Sequence, residues 1–188
     1  MSRKARTICF LICLACSTGT IVSQASAHQA SKEPTFFSPD YVENDPFKHA
    51  LPPTDDVLNA LLKTPQALQA ADALAKLDRE ELRRTFSVVK VHLSDSSEDD
   101  EVVLGSVPMS GADNDWFWII RRLPDHAQVV LFANGLSLEL LNSKTVDYKN
   151  IRTSWGAASG ISITCIYHYD GTRYRLVHKY TKTASLAP

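Results

Sequence analysis

The chain has 188 residues, with 20 Lys and Arg against 21 Asp and Glu and a formal net charge of −1. That length accommodates one domain with a sizeable core, and the charge balance excludes the basic surface that nucleic acid or an anionic membrane demands. Three of the four cysteines fall within the first 16 residues, which leaves Cys165 alone in the remainder and excludes a disulfide framework there.

Arg3, Lys4 and Arg6 precede an apolar run, Thr7 to Ala15, and Ala25-Ser26-Ala27 supplies small residues beyond it. That order predicts a secretory signal peptide over 1–27, too short in its apolar part to span a bilayer, and a mature chain beginning at His28. The expected location is periplasmic or secreted. Cys13-Leu14-Ala15-Cys16 is a degenerate lipobox, with Cys13 where Leu belongs, so a lipid anchor at Cys16 is not expected. Residues 1–27 hold three of the basic residues and none of the acidic ones. The remaining chain therefore carries 17 against 21, a net charge of −4.

Residues 28–53 contain scattered prolines and no period, and read as an extended arm. Phe36, Phe37, Tyr41 and Phe47 predict that it lies against the domain, since disordered segments are poorer in aromatics. A helical segment is predicted over 54–84. Thr54 caps it, Asp55 and Asp56 suit its first turn, and Val57, Leu58, Leu61 and Leu62 form its apolar side. Pro65 opens a second helix over 66–77 with a stripe at Leu68, Ala71, Leu74 and Ala75, and Asp78 to Arg84 extends it or begins another.

After Thr85 the period changes to two. Runs at 86–93, 101–107, 116–121, 127–133, 136–142, 148–155, 161–169 and 173–180 are each a strand long and separated by Gly, Asp, Asn or Ser. The fold expected is α+β, with N-terminal helices packed on an antiparallel β-meander of about seven to eight strands over 85–182, and 54–182 forming one globular domain. In the last hairpin, a two-residue Asp170-Gly171 turn places His178 opposite Ile163 and His168 opposite Arg173. The two histidines then face opposite sides and cannot share a metal, and Cys165 reads as a small buried thiol.

The chemistry-bearing loops are acidic. In "SDSSEDDE" (94–101), Asp95, Ser97 and Asp99 stand at positions one, three and five of a calcium loop. Asp100 takes the place of the required glycine and Ser106 that of the final glutamate, so the template fails. "SGADNDW" (110–116) carries Asp113 and Asp115 before the aromatic Trp116 and Trp118. No hydrolase elbow, zinc-protease helix, phosphate loop or dinucleotide fingerprint occurs in the sequence, so no cofactor or metal is expected.

Three pieces, "VPMSGADNDWFWII" (107–120), "VDYKNIRTSW" (146–155) and "YHYDGTRYR" (167–175), follow a shared pattern. In these the chain resembles a loose group of secreted, mostly uncharacterised bacterial proteins. Their pattern is a Gly-Ala loop before an aromatic strand, then Gly-Tyr-x-Asp-Ile, then a C-terminal Tyr-x-Tyr/Phe-Asp-Gly-x-x-Tyr hairpin. Here Asp147 and Asn150 stand where the group favours Gly and Asp. The resemblance implies an exported β-rich module and supplies no catalytic residue.

The leading expectation is a non-enzymatic exported protein that binds another protein of the cell envelope, in the manner of an inhibitor or immunity protein. Asp95, Glu98, Asp99, Asp100, Asp113, Asp115, Trp116 and Trp118 would form its contact surface, with the acidic groups meeting a basic enzyme cleft. One rival is a glycan- or ligand-binding module built on the exposed faces of Trp116 and Trp118. The other is a small hydrolase pairing Asp113 or Asp115 with His126 or His168.

Overall fold

β-branched and aromatic residues dominate the chain from Phe86 onward, and in the computed structural model each of those runs is a strand. The structure describes residues 35–39, 46–95, 99–112, 114–156 and 160–183. The predicted signal segment lies outside them. In chain order come β1 (Phe36–Phe37), α1 (Asp55–Leu61), α2 (Pro65–Gln69), α3 (Ala71–Leu74) and α4 (Arg79–Arg84). The strands β2 (Phe86–Val91), β3 (Asp100–Gly105), β4 (Asp115–Arg122), β5 (Ala127–Gly135), β6 (Ser137–Thr145), β7 (Tyr148–Gly156), β8 (Ile161–Tyr169) and β9 (Tyr174–Thr183) follow.

The fold is α+β with an antiparallel meander. Its eight long strands divide between two sheets, one ordered β2-β3-β4-β5 and the other β1-β6-β7-β8-β9. The chain passes from the first sheet to the second through Leu136 alone, whose N–H donates to the Ser154 carbonyl at 2.8 Å. Gly135 makes that crossing possible, because a Cβ there would stand 2.8 Å from the same carbonyl oxygen.

Two apolar cores make three layers. Phe37, Leu104, Phe117, Ile119, Leu138, Leu140 and Ile151 fill the space between the sheets. Val57, Leu58 and Leu61 of α1 pack with Val88, Val103, Trp118 and Ile120 on the opposite face of the four-stranded sheet. That sheet is therefore covered on both faces, which is why its inner strands read as continuous apolar runs such as "VVL" and "WFWII". The five-stranded sheet has one face on the core and one in solvent, so β7 alternates.

Local chemistry explains the helices. Thr64 caps α2, accepting from the Ala67 N–H, and Pro65 fills the first helical position. Asp78 and Glu81 form a reciprocal capping box on α4, each bond 2.8 Å, a device worth about 1 kcal/mol. The helix expected over 66–77 breaks at Ala70, whose backbone leaves the helical range. That break turns Leu68 to solvent and gives the buried positions to Ala67 and Leu74. Asp55 ties α1 to α4 through Arg79 and Arg83.

The arm lies against the domain where it is described. Phe36 and Phe37 pair with Glu139 and Leu138 as a short edge strand. The fully buried Phe37 ring lies 5.8 Å from Phe47 of a 3-10 turn over Pro46–His49. Tyr41 falls outside the described residues.

The last hairpin departs from the expected register. Tyr169 pairs with Tyr174, His168 with Arg175 and Tyr167 with Leu176; a bulge then shifts the ladder so that Ile166 faces His178 and Cys165 faces Lys179. The extra residue in β9 reverses its side-chain alternation beyond Leu176. His168 and His178 consequently share the outer face, ring centroids 6.5 Å apart, and His178 stacks on Tyr180 at 5.8 Å. The expected opposition of the two histidines is thus corrected.

Candidate functional site

The acidic turn between β2 and β3 supplies its own counter-ions. Asp95 accepts from Lys144 Nζ at 2.7 Å, and that hydrogen bond holds its carboxyl below the usual range. Asp99 accepts from Lys90 Nζ at 2.7 Å with the same consequence, and His92 Nε2 stands 3.5 Å from its other oxygen. Asp100 is not a surface group. It is buried at the start of β3 and accepts from the Arg122 N–H at 3.2 Å. Glu98 and Asp113 lie outside the described residues.

The second predicted loop sits elsewhere. Glu101 pairs with Ile120, whereas Asp115 opens β4 opposite Gly135. Five residues of extended chain therefore separate the two ends, roughly 17 Å. The six predicted residues that the structure describes do not form one surface. Trp118 is fully buried against Phe86 (5.7 Å), Phe132 (5.4 Å) and Trp116 (6.1 Å) beneath the helices, so the aromatic platform expected of it is absent. Trp116 is half-buried in the same cluster. Hydrolase geometry fails for Asp115 as well, because His126 follows the far end of β4 and its Nδ1 lies 2.6 Å from Asp125. His168 belongs to the other sheet.

A polar cluster missed by sequence reasoning closes one end of the space between the sheets. Arg121 Nη1 donates to Tyr169 Oη at 2.9 Å, and its guanidinium lies 5.3 Å from the centre of the Tyr148 ring. The Tyr148 and Tyr169 rings meet tilted with centroids 4.3 Å apart, those of Tyr169 and Tyr174 tilted at 5.3 Å, and Tyr174 Oη donates to the Lys149 carbonyl at 2.8 Å. Burial pushes the Tyr148 and Tyr174 phenols upward. The signal was available in the spacing of Tyr148, Tyr169 and Tyr174, but it required the two-sheet arrangement to be interpretable.

The β8–β9 hairpin carries the most distinctive exposed chemistry. Asp170 fixes its tip: Oδ1 accepts from the Thr172 and Arg173 N–H groups at 2.9 Å each, and Oδ2 from Arg175 Nε at 2.7 Å. β9 is exposed at every position after Tyr174, with Leu176, Val177 and Tyr180 at 52%, 41% and 57%. Arg175, Lys179 and Lys182 are spread along it, and no carboxylate occurs between Asp170 and Thr183. Between β5 and β9 lies a groove of about 420 Å³, lined by Val129 to Phe132, Tyr167, Tyr174 and Leu176 together with Arg173 and Arg175. Cys165, opposite Lys179, is half-buried and a free thiol.

Among the described residues no group of three or more His, Cys, Asp or Glu side chains is placed to hold a metal ion. No helix among them is long and apolar enough to cross a membrane. No protein-family model, curated protein or solved structure matches the chain.

Proposed function

We propose that the chain is an exported, non-catalytic protein that binds another protein in the cell envelope, and that the β8–β9 hairpin is its binding flank. The observation that carries this is β9: ten residues long, at the end of its sheet, exposed beyond its first residue, and bearing apolar and cationic side chains together. Exposed apolar side chains beside a tyrosine and an arginine on one strand are the composition of a protein contact. The acidic turn is a poorer candidate than the sequence implied, because a partner there must displace Lys144 from Asp95 and Lys90 from Asp99. Export is supported by the basic, apolar and small-residue order of residues 1–27.

The test is capture from an envelope extract by the processed chain tethered at its N-terminus, which leaves β9 free, at low and high salt. One stoichiometric protein retained at low salt and released at high salt is the expected result. Retention of nothing at either salt overturns the proposal.

A further inference from the structure

We infer that β9 takes an extended, acidic segment of its protein partner as an added strand, lengthening the five-stranded sheet by one. The inference deepens the protein-binding reading above and rests on it. Strand addition needs a free edge, and among the described residues none pairs with the outer side of β9. An unpaired strand of this length presents a row of N–H and C=O groups that a second backbone satisfies directly.

Charge selects the partner. Arg173, Arg175, Lys179 and Lys182 lie on or beside the strand without a carboxylate among them. Arg175 is engaged by Asp170, whereas no ion pair holds Lys179 or Lys182 among the described residues. A second copy of β9 is a poor occupant, since antiparallel self-pairing sets these cations against each other. The cations that discourage pairing between copies admit an acidic strand.

The bulge after Leu176 further shapes the preference. Arg175, His178, Tyr180 and Lys182 project from the outer face, while Leu176 and Lys179 project from the core-facing side. Near Leu176, an added side chain on the core-facing side meets a groove whose floor is Tyr167, Tyr174 and β5 residues Val129 to Phe132, with Arg173 and Arg175 also lining it. The fitting segment therefore alternates, with an apolar residue toward that groove and carboxylates toward His178 and Lys182. A further carboxylate on the core-facing side reaches Lys179.

The probe is a fluorescent peptide as long as β9, alternating Glu with Val apart from one added Glu at the position facing Lys179, compared with the same peptide carrying Lys for Glu. Binding to the full chain is measured by anisotropy at low and high salt, and backbone amide exchange is recorded with and without peptide. The Glu peptide is expected to bind at least about tenfold more tightly than the Lys peptide, with the margin lost at high salt. It should also raise amide protection within 174–183. In the double variant K179E/K182E, both substitutions are at exposed positions, and an unchanged melting temperature establishes that it folds. The variant is expected to reverse the preference between the two peptides. Equal binding of both peptides, binding without added protection in β9, or an unreversed preference overturns strand addition. A captured envelope protein that binds wild type and K179E/K182E equally overturns this inference and leaves the protein-binding proposal standing.

Discussion

Glu101 Oε1 stands 3.4 Å from Arg122 Nε, under the N-terminus of α1, where the same guanidinium also reaches Asp56 and the Thr54 hydroxyl. Burial pushes the Glu101 carboxyl above its ordinary value despite that cation. Folded protein therefore holds more protons at this site than unfolded protein. Its contribution to stability declines as pH rises above 4.5. Glu101→Gln removes the ionisation while keeping the shape. The variant is expected to gain on wild type between about pH 4 and about pH 7, read from urea midpoints. A gap that stays constant across that range contradicts the burial account.

Asp170 has the opposite sign. Hydrogen bonds from the Arg173 and Thr172 amides and from Arg175 hold its carboxyl far below the ordinary 3.8. Its stabilising contribution is complete above that ordinary value, declines once pH falls below it, and is fully lost only below the lower folded one. Asp170→Asn is expected to lower stability at neutral pH. The deficit should narrow steadily as pH falls below about 4, because the unfolded chain's aspartate takes up a proton that the folded one still refuses. A deficit that stays constant as pH falls shows instead that folding leaves the titration of Asp170 unshifted.

The contrast between those two carboxylates also marks what the sequence could disclose. Asp170-Gly171 announced a hairpin between two periodic runs, and the hairpin is there. The eight strand runs after Thr85 were equally legible, because period-two alternation and turn residues are local signals. The sorting of those strands into two sheets was not legible, since it depends on the close approach at Gly135 and on burial of the four-stranded sheet from both sides. Side-chain parity failed at one place, the bulge beyond Leu176, where a single extra residue moved His178 across the sheet. The candidate site suffered most from this. Density marks the acidic residues in the sequence, but it carries no information about the lysines that fold back on them, such as Lys144 on Asp95.

The β6–β7 turn holds two non-glycine residues in left-handed backbone, Val146 at φ 50° and Asp147 at φ 64°, between the paired Thr145 and Tyr148. A β-branched residue is strained there, whereas Asn-Gly adopts the geometry readily. V146N/D147G is expected to raise stability by about 1 kcal/mol, a gain of roughly 3 °C in melting temperature. Val146 is exposed, so no core packing is lost. A fall in melting temperature indicates that the turn does not hold this conformation in solution.

Gly105 ends β3 where the chain folds back through Ser106 to Met109. A Cβ at this position would stand 1.9 Å from the Met109 carbonyl oxygen and 2.9 Å from the Trp118 ring. Neither neighbour can retreat easily, because one is backbone and the other is a fully buried indole. Gly105→Ala is therefore expected to cost about 3 kcal/mol or more. Gly156 provides the internal comparison, since its added Cβ would meet only the Leu136 side chain, at 3.8 Å. Gly156→Ala should change stability by less than about 0.5 kcal/mol. Chemical denaturation of the two variants separates a steric requirement at one glycine from a general cost of replacing glycine in this sheet. Equal losses at both positions remove the close approach of β3 to Met109 as the explanation.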